Sequence, residues 1–389
     1  MNASLEDRGA TLRAAVEDNL LLFWGRFSEE GIGRKEVLRT LARNKDSLSA
    51  RRLEEIGGLA RGAEVPFEDL LAFNLYEDLV FQDGCTVLMA LGTTSASGAP
   101  IFLKNSDKVG GKSLSGPHFH LHKEINVIMD CRSESGLRIL GVAAAGSTGL
   151  KMGMNDAGVV TGANIARTME LREKRVDLTT LRALDRGQLM RDGMEFRDAT
   201  SAANAVLAKL IERPMGTPGN IQFLDKKECY LIEGSYSQFA VEIVRGDRVV
   251  SRANHFILLH DLNDPGDVAG HKRYTRSQEL LKANAGKIDR AKMMEFSTDH
   301  TNGPGPNSIC RHGTTPEEET TLSAAVMEIV PDRPEKSRIT IALGKACHAW
   351  RDPPGHVTLS MDSDPSEIPE GFLNGDVWKR LYTEKARAA

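Results

Sequence analysis

The chain of 389 residues has no apolar run approaching the roughly 18 consecutive residues that a membrane-spanning helix needs. Its 50 basic and 54 acidic residues nearly cancel, to a net charge of −4, so no overall field would attract nucleic acid or anionic lipid. Its five cysteines are widely spaced and include no CxxC pair, which favours neither a disulfide framework nor a zinc site. We therefore expect neither a nucleic-acid nor a membrane partner.

The remaining composition is that of a globular protein, with 40% hydrophobic and 27% charged residues. A chain of this length buries a sizeable core without disulfide or metal staples, as one large domain or two ordinary ones. The first residues are acidic, whereas a secretory signal begins basic and then becomes apolar. The expected location is the cytoplasm.

The pattern changes at Gly84. Before it, apolar residues recur at helical spacing, and Pro66 followed by acidic residues indicates a helix start. After it come short apolar runs bounded by turn residues, which predict strands. We expect a helical leader over 1–84, a catalytic body over 85–350 and a C-terminal extension over 351–389 that packs on the body.

Within the body, strands and helices are grouped rather than regularly alternating, which indicates an α+β fold of sheets covered by helices. The predicted strands are 86–91, 100–103, 125–129, 137–144, 159–161, 221–224, 230–232, 325–329 and 338–343. The predicted helices are 180–194, 199–211, 274–284 and 291–296. A glycine- and serine-rich stretch at 110–116 predicts a mobile loop.

The pair Gly84-Cys85 stands where the helical leader gives way to the first strand. A thiol there can attack the preceding carbonyl, and glycine leaves that peptide free to adopt a strained geometry. Cleavage would make Cys85 an N-terminal residue with both a nucleophilic thiol and an α-amine, whose pKa of about 7.7–8.0 suits a base near neutral pH. The alternative interpretation of Cys85 is a buried structural cysteine.

Five segments of the chain form a recognisable set. They are Asp83-Gly84-Cys85-Thr86, Lys104-Asn105-Ser106-Asp107, Gly153-Met154-Asn155-Asp156-Ala157-Gly158, Ala253-Asn254-His255-Phe256 and Ser308-Ile309-Cys310-Arg311-His312. Taken together, they resemble the family of acyl-coenzyme A:6-aminopenicillanic acid acyltransferase, which is related to penicillin V acylase and choloylglycine hydrolase; all of these are N-terminal nucleophile hydrolases. The resemblance runs from about residue 53 to about residue 350 and implies a four-layer αββα sandwich.

The resemblance also implies residue roles. Cys85 corresponds to the nucleophile released by cleavage after Gly84, and Asp107 to a carboxylate that orients the new α-amine. Arg311 corresponds to an arginine near the sulfur, where its charge favours the thiolate. Asn254 corresponds to the amide donor of the oxyanion hole, and Asn164 to a second contribution to it.

Each of these residues also has a structural alternative. Asp107 could be a turn residue, Arg311 a surface ion-pair partner and Asn254 a local cap. The sequence departs from bile-salt-cleaving relatives, which often carry an arginine at the position of Lys104. Lysine lacks the bidentate fork, so carboxylate recognition at this position is not expected.

No metal and no cofactor is expected. His118, His120 and His122 alternate along a predicted strand, but neither a cysteine or carboxylate cluster nor the resemblance supports a metal there. We expect a polar strand face near a substrate mouth. Cys131, Cys229, Cys310 and Cys347 are expected to be core or incidental thiols.

The expected function is that of an autoprocessing cysteine amidohydrolase, which cleaves a small-molecule amide through a Cys85 acyl-thioester. Its two processed fragments would stay associated as a heterodimer, with a higher oligomer possible. One alternative is an acyl-CoA-dependent N-acyltransferase of the same mechanism. A second is an uncleaved, non-catalytic binding protein.

Overall fold

The computed structural model describes residues 5–80, 84–108, 125–173, 182–313, 318–351 and 355–364. Its helices are α1 (Leu5–Glu29), α2 (Arg34–Asn44), α3 (Ala50–Ala63), α4 (Phe67–Val80), α5 (Met169–Arg172), α6 (Arg186–Gly193), α7 (Ala199–Glu212), α8 (Val268–Ala283), α9 (Arg290–Ser297) and α10 (Ala346–Ala349). Its strands are β1 (Cys85–Leu91), β2 (Ile101–Lys108), β3 (Asn126–Arg132), β4 (Arg138–Ala144), β5 (Met152–Asn155), β6 (Val160–Ile165), β7 (Gly219–Leu224), β8 (Glu228–Gly234), β9 (Phe239–Arg245), β10 (Arg248–Arg252), β11 (Thr320–Glu328), β12 (Arg338–Leu343) and β13 (His356–Ser360).

The strands form two antiparallel sheets. The first has the order β10-β1-β2-β11-β12-β13, so the strand that begins at Cys85 is an inner strand. The second is a seven-stranded meander from β3 to β9. Because every inner strand pairs on both sides, the position of each side chain along β1 and β2 is fixed by the ladder.

The two sheets face each other across the largest apolar core. Val87 and Met89 on β1 meet the second sheet through residues such as Met152 and Val160. A second apolar cluster packs α6 and α7 on the outer face of the second sheet, and a third packs α8 and α9 on the outer face of the first. The layers are therefore αββα, which confirms the predicted fold class.

The N-terminal helices pack against one end of this sandwich. Val16 and Leu20 of α1 belong to the same core cluster as Ala144 and Ala145. Buried hydrogen bonds fix the contact: the Asn19 side chain donates to the carbonyl of Ala145 at 3.0 Å. An apolar face and its polar anchors thus both tie the leader to the body.

Most of the elements predicted from apolar runs are present. The strand predicted at 338–343 matches β12, and the helix predicted at 199–211 matches α7 within one residue. The pattern missed β5, β9, β10 and β13. The short β5 is rich in glycine and methionine, and β9 and β10 carry exposed polar residues. None of these three strands therefore shows a clear alternation of apolar and polar residues.

The helix predicted at 180–194 is shorter in the structure, because α6 begins at Arg186. Asp185 caps this helix by accepting from the backbone N–H of Gln188.

In the C-terminal extension, β13 adds an edge strand to the first sheet. Residues 365–389 and the predicted loop at 110–116 lie outside the described residues. Within the described ranges, no helix is long and apolar enough to cross a bilayer.

Candidate active site

The Gly84–Cys85 peptide is held by hydrogen bonds on both of its sides. The Gly84 carbonyl oxygen accepts from the backbone N–H of Asp107 at 2.8 Å. The backbone N–H of Cys85 donates to Oδ1 of Asn254 at 3.2 Å. The structure thus brings together Gly84, Cys85, Asp107 and Asn254, four of the residues that the sequence selected.

The antiparallel pairing of β1 with β2 brings Cys85 opposite Ser106, so Asp107 is the next residue along β2 from the partner of Cys85. Alternation along a strand then separates the two functional side chains. Ser106, with Cys85, lines a cavity between the sheets, whereas Asp107 points to the opposite face of β2, toward Thr321 and Arg311.

Asp107 is completely buried. Its Oδ1 accepts from the Thr321 hydroxyl at 2.7 Å, and its Oδ2 lies 3.6 Å from Nη1 of Arg311. Burial raises the pKa of the Asp107 carboxyl group, and the charges of Arg311 and Arg273 only partly oppose this effect. The site therefore holds a carboxyl group that ionises less readily than an ordinary aspartate.

Arg311 is almost fully buried beside this carboxylate and forms a close ion pair with Glu319. Burial alone would lower the pKa of Arg311, but the charges of Glu319 and Asp107 outweigh it and raise the pKa. Arg311 thus remains a fixed cation. Its guanidinium lies close to Gly84, since a β-carbon at position 84 would overlap with Nη1.

Arg273 is a second buried arginine that sequence analysis missed. Its Nη1 donates to the Cys85 carbonyl at 2.8 Å, and its Nη2 donates to Oδ1 of Asn254 at 2.5 Å. Burial lowers the pKa of Arg273 to about 10. It lies on α8 in an ordinary helical pattern with no motif around it, so only the packing of α8 against β1 reveals its role.

Asn254 is buried, and both the oxygen and the nitrogen of its side-chain amide form hydrogen bonds. Besides accepting from Cys85 and Arg273, it donates through Nδ2 to the Ile165 carbonyl at 2.9 Å. Asn164 is also buried, and its Nδ2 lies 3.5 Å from the Arg252 carbonyl. Within the described residues, no hydrogen bond joins Asn164 to Cys85, so the predicted role of Asn164 stays a prediction.

Two asparagines of the quoted segments have structural roles. Asn105 donates to the carbonyls of Ser297 and Ile309, each at 2.9 Å, and so anchors the segment that leads to Arg311. Asn155 fixes the turn between β5 and β6 by accepting from the backbone N–H groups of Ala157 and Val159. These motifs shape the scaffold around the site.

The cavity beside Cys85 has a volume of about 40 Å³. Its walls come from both sheets and from the leader, with Lys104 and Glu77 among them. Lys104 donates to the Lys151 carbonyl at 2.6 Å, and Lys151 pairs with Glu77 at 2.8 Å. The N-terminal helix α4 therefore contributes a side chain, Glu77, to the cavity that Cys85 lines.

Among the described residues, two groups of side chains could hold a metal ion. The first is His300, Cys310, His312 and Cys347, and the second, smaller group is His255, Asp267 and His271. Cys310 and Cys347 thus lie together with two histidines, whereas the expectation was incidental thiols. Cys131 and Cys229 are in the second sheet. The predicted histidine face of His118, His120 and His122 lies outside the described residues.

The αββα sandwich is the fold that the resemblance to N-terminal nucleophile hydrolases implied, and Cys85 begins one of its inner strands. The family model of acyl-coenzyme A:6-aminopenicillanic acid acyl-transferase matches residues 93–346, and the chain belongs to this family. The match begins a few residues after Cys85. No curated protein matches the sequence.

The similar solved structures have low TM-scores and low sequence identities. The Caenorhabditis elegans N-acylethanolamine-hydrolyzing acid amidase ortholog is 16% identical, with a TM-score of 0.42 over 67% of this chain and 99% of that one. Penicillin V acylase from Agrobacterium tumefaciens is 10% identical, with a TM-score of 0.40 over 67% and 83%. A mutant conjugated bile acid hydrolase from Clostridium perfringens is 11% identical, with a TM-score of 0.37 over 72% and 93%. The assignment of the chain to its family therefore rests on the family model that matches residues 93–346.

Proposed function

We propose that this protein is a cysteine amidohydrolase that first cleaves its own chain between Gly84 and Cys85. The mature enzyme then hydrolyses a small-molecule amide through a thioester on Cys85. The observation that carries the proposal is the peptide before Cys85, whose carbonyl oxygen and amide nitrogen are both hydrogen-bonded by buried groups of the body. Membership of the acyltransferase family supports the same chemistry.

In the self-cleavage step, Sγ of Cys85 attacks the Gly84 carbonyl carbon and loses its proton. The Asp107 N–H already donates to the carbonyl oxygen, so it can stabilise the negative charge that develops there. The C–N bond then breaks, and the nitrogen takes up a proton to become the free amine of Cys85. Water hydrolyses the thioester that remains on Gly84, which releases the two fragments.

In the mature enzyme, the α-amine of Cys85 would accept the thiol proton as the thiolate attacks a substrate amide. The Asn254 side-chain N–H would stabilise the oxyanion. The amine product leaves with the proton, and water then hydrolyses the acyl-thioester. Asp107, whose carboxyl group lies 3.6 Å from Nη1 of Arg311, would accept a hydrogen bond from the new amine and orient it.

The present cavity holds about one water molecule by volume, whereas pockets for small-molecule ligands measure about 300 Å³ or more. Glu77 of the leader is part of its wall. Cleavage frees the chain between α4 and β1, so we expect the cavity to enlarge when the leader can shift. The buried apolar face of α1 should keep both fragments together as a heterodimer.

The second candidate is transfer of an acyl group from a coenzyme A thioester to an amine. The description of the matched family favours it, since it names an acyl-transferase. The two reactions differ only in whether water or an amine reaches the Cys85 thioester. Assays that offer thioester donors with and without amine acceptors distinguish them.

The first experiment is an intact-mass measurement of purified protein, followed by N-terminal sequencing. We expect fragments 1–84 and 85–389 from the natural chain and a single chain from Cys85→Ala. Cys85→Ser should slow both cleavage and turnover, because a hydroxyl is a weaker nucleophile than a thiol. Cys131→Ala is the matched control, since Cys131 lies in the other sheet.

Three outcomes would contradict parts of the proposal. A new N-terminus at another residue would exclude Cys85 as the processed nucleophile. An uncleaved protein with full activity would exclude the α-amine as the base. An uncleaved protein that binds small molecules but turns none over would favour a binding function instead.

A further inference from the structure

A second cluster of reactive side chains lies where the segment after α9 meets α10. His300, Cys310 and His312 come from this segment, and Cys347 lies on α10. Cys310 is fully buried. One ligand atom from each of the four residues lies within 4.8 Å of the other three.

The contacts converge on one atom. Nε2 of His312 lies 3.1 Å from Nε2 of His300 and 3.1 Å from Sγ of Cys347. It lies 3.8 Å from Sγ of Cys310. A ring nitrogen has a single proton or a single lone pair in the ring plane, so it cannot form three hydrogen bonds at once. A cation shared by the four groups would satisfy them together.

The three separations from Nε2 of His312, 3.1–3.8 Å, are close to those around a tetrahedral zinc ion. Zinc bonds of about 2.0–2.1 Å to nitrogen and about 2.3 Å to sulfur place neighbouring ligand atoms roughly 3.3–3.8 Å apart. Two thiolates and two imidazoles form one of the standard sets for structural zinc, with no position left for water. We propose that His300, Cys310, His312 and Cys347 bind a structural Zn²⁺ ion, which replaces the expectation that the chain holds no metal.

The ion would fix a segment that has little regular structure of its own. Between the end of α9 at Ser297 and the start of β11 at Thr320, the described residues form neither helix nor strand. Arg311 stands in this segment, between two of the proposed ligands. A bond from this segment to Cys347 would attach it to α10 and thereby hold the Arg311 guanidinium beside Asp107.

The spacing explains why sequence analysis missed the site. Cys310 and His312 are two residues apart, and Cys347 lies 35 residues beyond His312. This arrangement lacks the paired CxxC and HxxxH spacings by which zinc sites are commonly found. Only the packing of α10 on the segment brings the four residues together.

The test is metal analysis of the full chain by mass spectrometry, with cobalt substitution for the coordination sphere. We expect about one zinc ion per chain. The cobalt-substituted protein should show ligand-field bands of a tetrahedral ion and a sulfur-to-metal charge-transfer band. Cys310→Ser and Cys347→Ser should lose the ion and unfold at a lower temperature.

Two controls match these variants. Cys131→Ser removes a cysteine from the second sheet. His348→Gln removes a histidine that is next to Cys347 in the sequence but outside the proposed ligand set. Both variants should keep the ion. Cys85→Ala should be inactive but fully loaded, which separates the metal site from the proposed catalytic function. If the cysteine variants do not fold, the cobalt spectrum of the natural chain still decides whether thiolates bind the ion.

Three results would overturn the proposal. One is a natural chain that binds neither zinc nor cobalt while its thiols remain open to alkylation. Another is a disulfide between Cys310 and Cys347, detected as a mass lower by two hydrogens. The third is a zinc content that is unchanged in both cysteine variants.

Discussion

Gly84 lies so close to Arg311 that a β-carbon at position 84 would overlap with the guanidinium nitrogen Nη1. Both residues are buried, so neither has room to move aside. The close approach requires glycine at the residue before the proposed nucleophile. The same contact directs the cation toward the peptide that is proposed to break.

Gly84→Ala should therefore slow self-cleavage. Displacing a buried guanidinium or the peptide costs on the order of 1–3 kcal/mol of strain, which corresponds to a rate lower by about 5-fold to 150-fold. The rate is measured as the appearance of fragment 85–389 after synthesis. Gly33→Ala is the control, because a β-carbon there meets no atom within 4 Å. Cleavage of Gly84→Ala at the natural rate would show that this contact does not position the peptide.

Asn254→Ala should lower kcat by about 10²–10³, the loss typical of one oxyanion-hole donor. It also removes the acceptor of buried Arg273, so a loss of stability of about 1–3 kcal/mol should accompany it. Asn254→Asp keeps an oxygen for Arg273 but removes the N–H donor and, with it, the hydrogen bond to the Ile165 carbonyl, so kcat should fall while the Arg273 contact remains. Kinetics and thermal unfolding of both variants test this. A fall in kcat of less than about threefold in both variants would show that Asn254 is not a donor of the oxyanion hole.

Asp107→Asn should impair cleavage and turnover without destabilising the fold at neutral pH. Burial raises the folded-state pKa of Asp107 above its unfolded value, so its stabilising contribution is present at low pH and disappears as pH rises through the folded pKa. Asparagine keeps an oxygen for the Thr321 hydroxyl and removes the carboxyl group whose charged form burial disfavours. We expect an unchanged or higher Tm by calorimetry.

The control for this variant is Asp225→Asn. Asp225 accepts from the backbone N–H groups of Ala199, Lys227 and Glu228. An amide there would turn a donor toward the Ala199 N–H, so Asp225→Asn should unfold at a lower temperature and leave the chemistry intact. A large fall in Tm for Asp107→Asn would instead identify Asp107 as a structural residue.

His255 should make the protein sensitive to mild acid. Burial, with the nearby charges of His271 and Arg273, lowers the pKa of His255 from 6.5 to about 4. The unfolded chain then binds the proton more readily between these two pH values, so stability present above pH 6.5 is lost as pH falls toward 4. The loss amounts to at most about 3 kcal/mol.

Chemical denaturation at a series of pH values measures this effect. His255→Gln should flatten the slope in this window, whereas His260→Gln should leave it unchanged, because the His260 side chain is 71% exposed. An identical slope in the natural chain and in His255→Gln would assign the acid sensitivity to other groups.

The sequence by itself determined the elements with clear periodicity and the position of the candidate nucleophile. The alternation of apolar residues in 338–343 predicted β12, and the change of pattern at Gly84 located the start of β1. Both are local properties, because a strand's exposure pattern and a helix's capping residues lie within a few positions of each other. The resemblance added Asp107, Asn254 and Arg311, which the fold brings around Gly84 and Cys85.

Only the tertiary structure decided which distant residues complete these sites. Arg273, on α8, donates to the Cys85 carbonyl from a position 188 residues away. Cys347, on α10, contacts His312 in the segment between α9 and β11. Neither residue has a neighbour in the chain that signals its role. Their partners follow from how helices pack on the outer face of a sheet, and that packing depends on the shape of the whole core rather than on any local pattern.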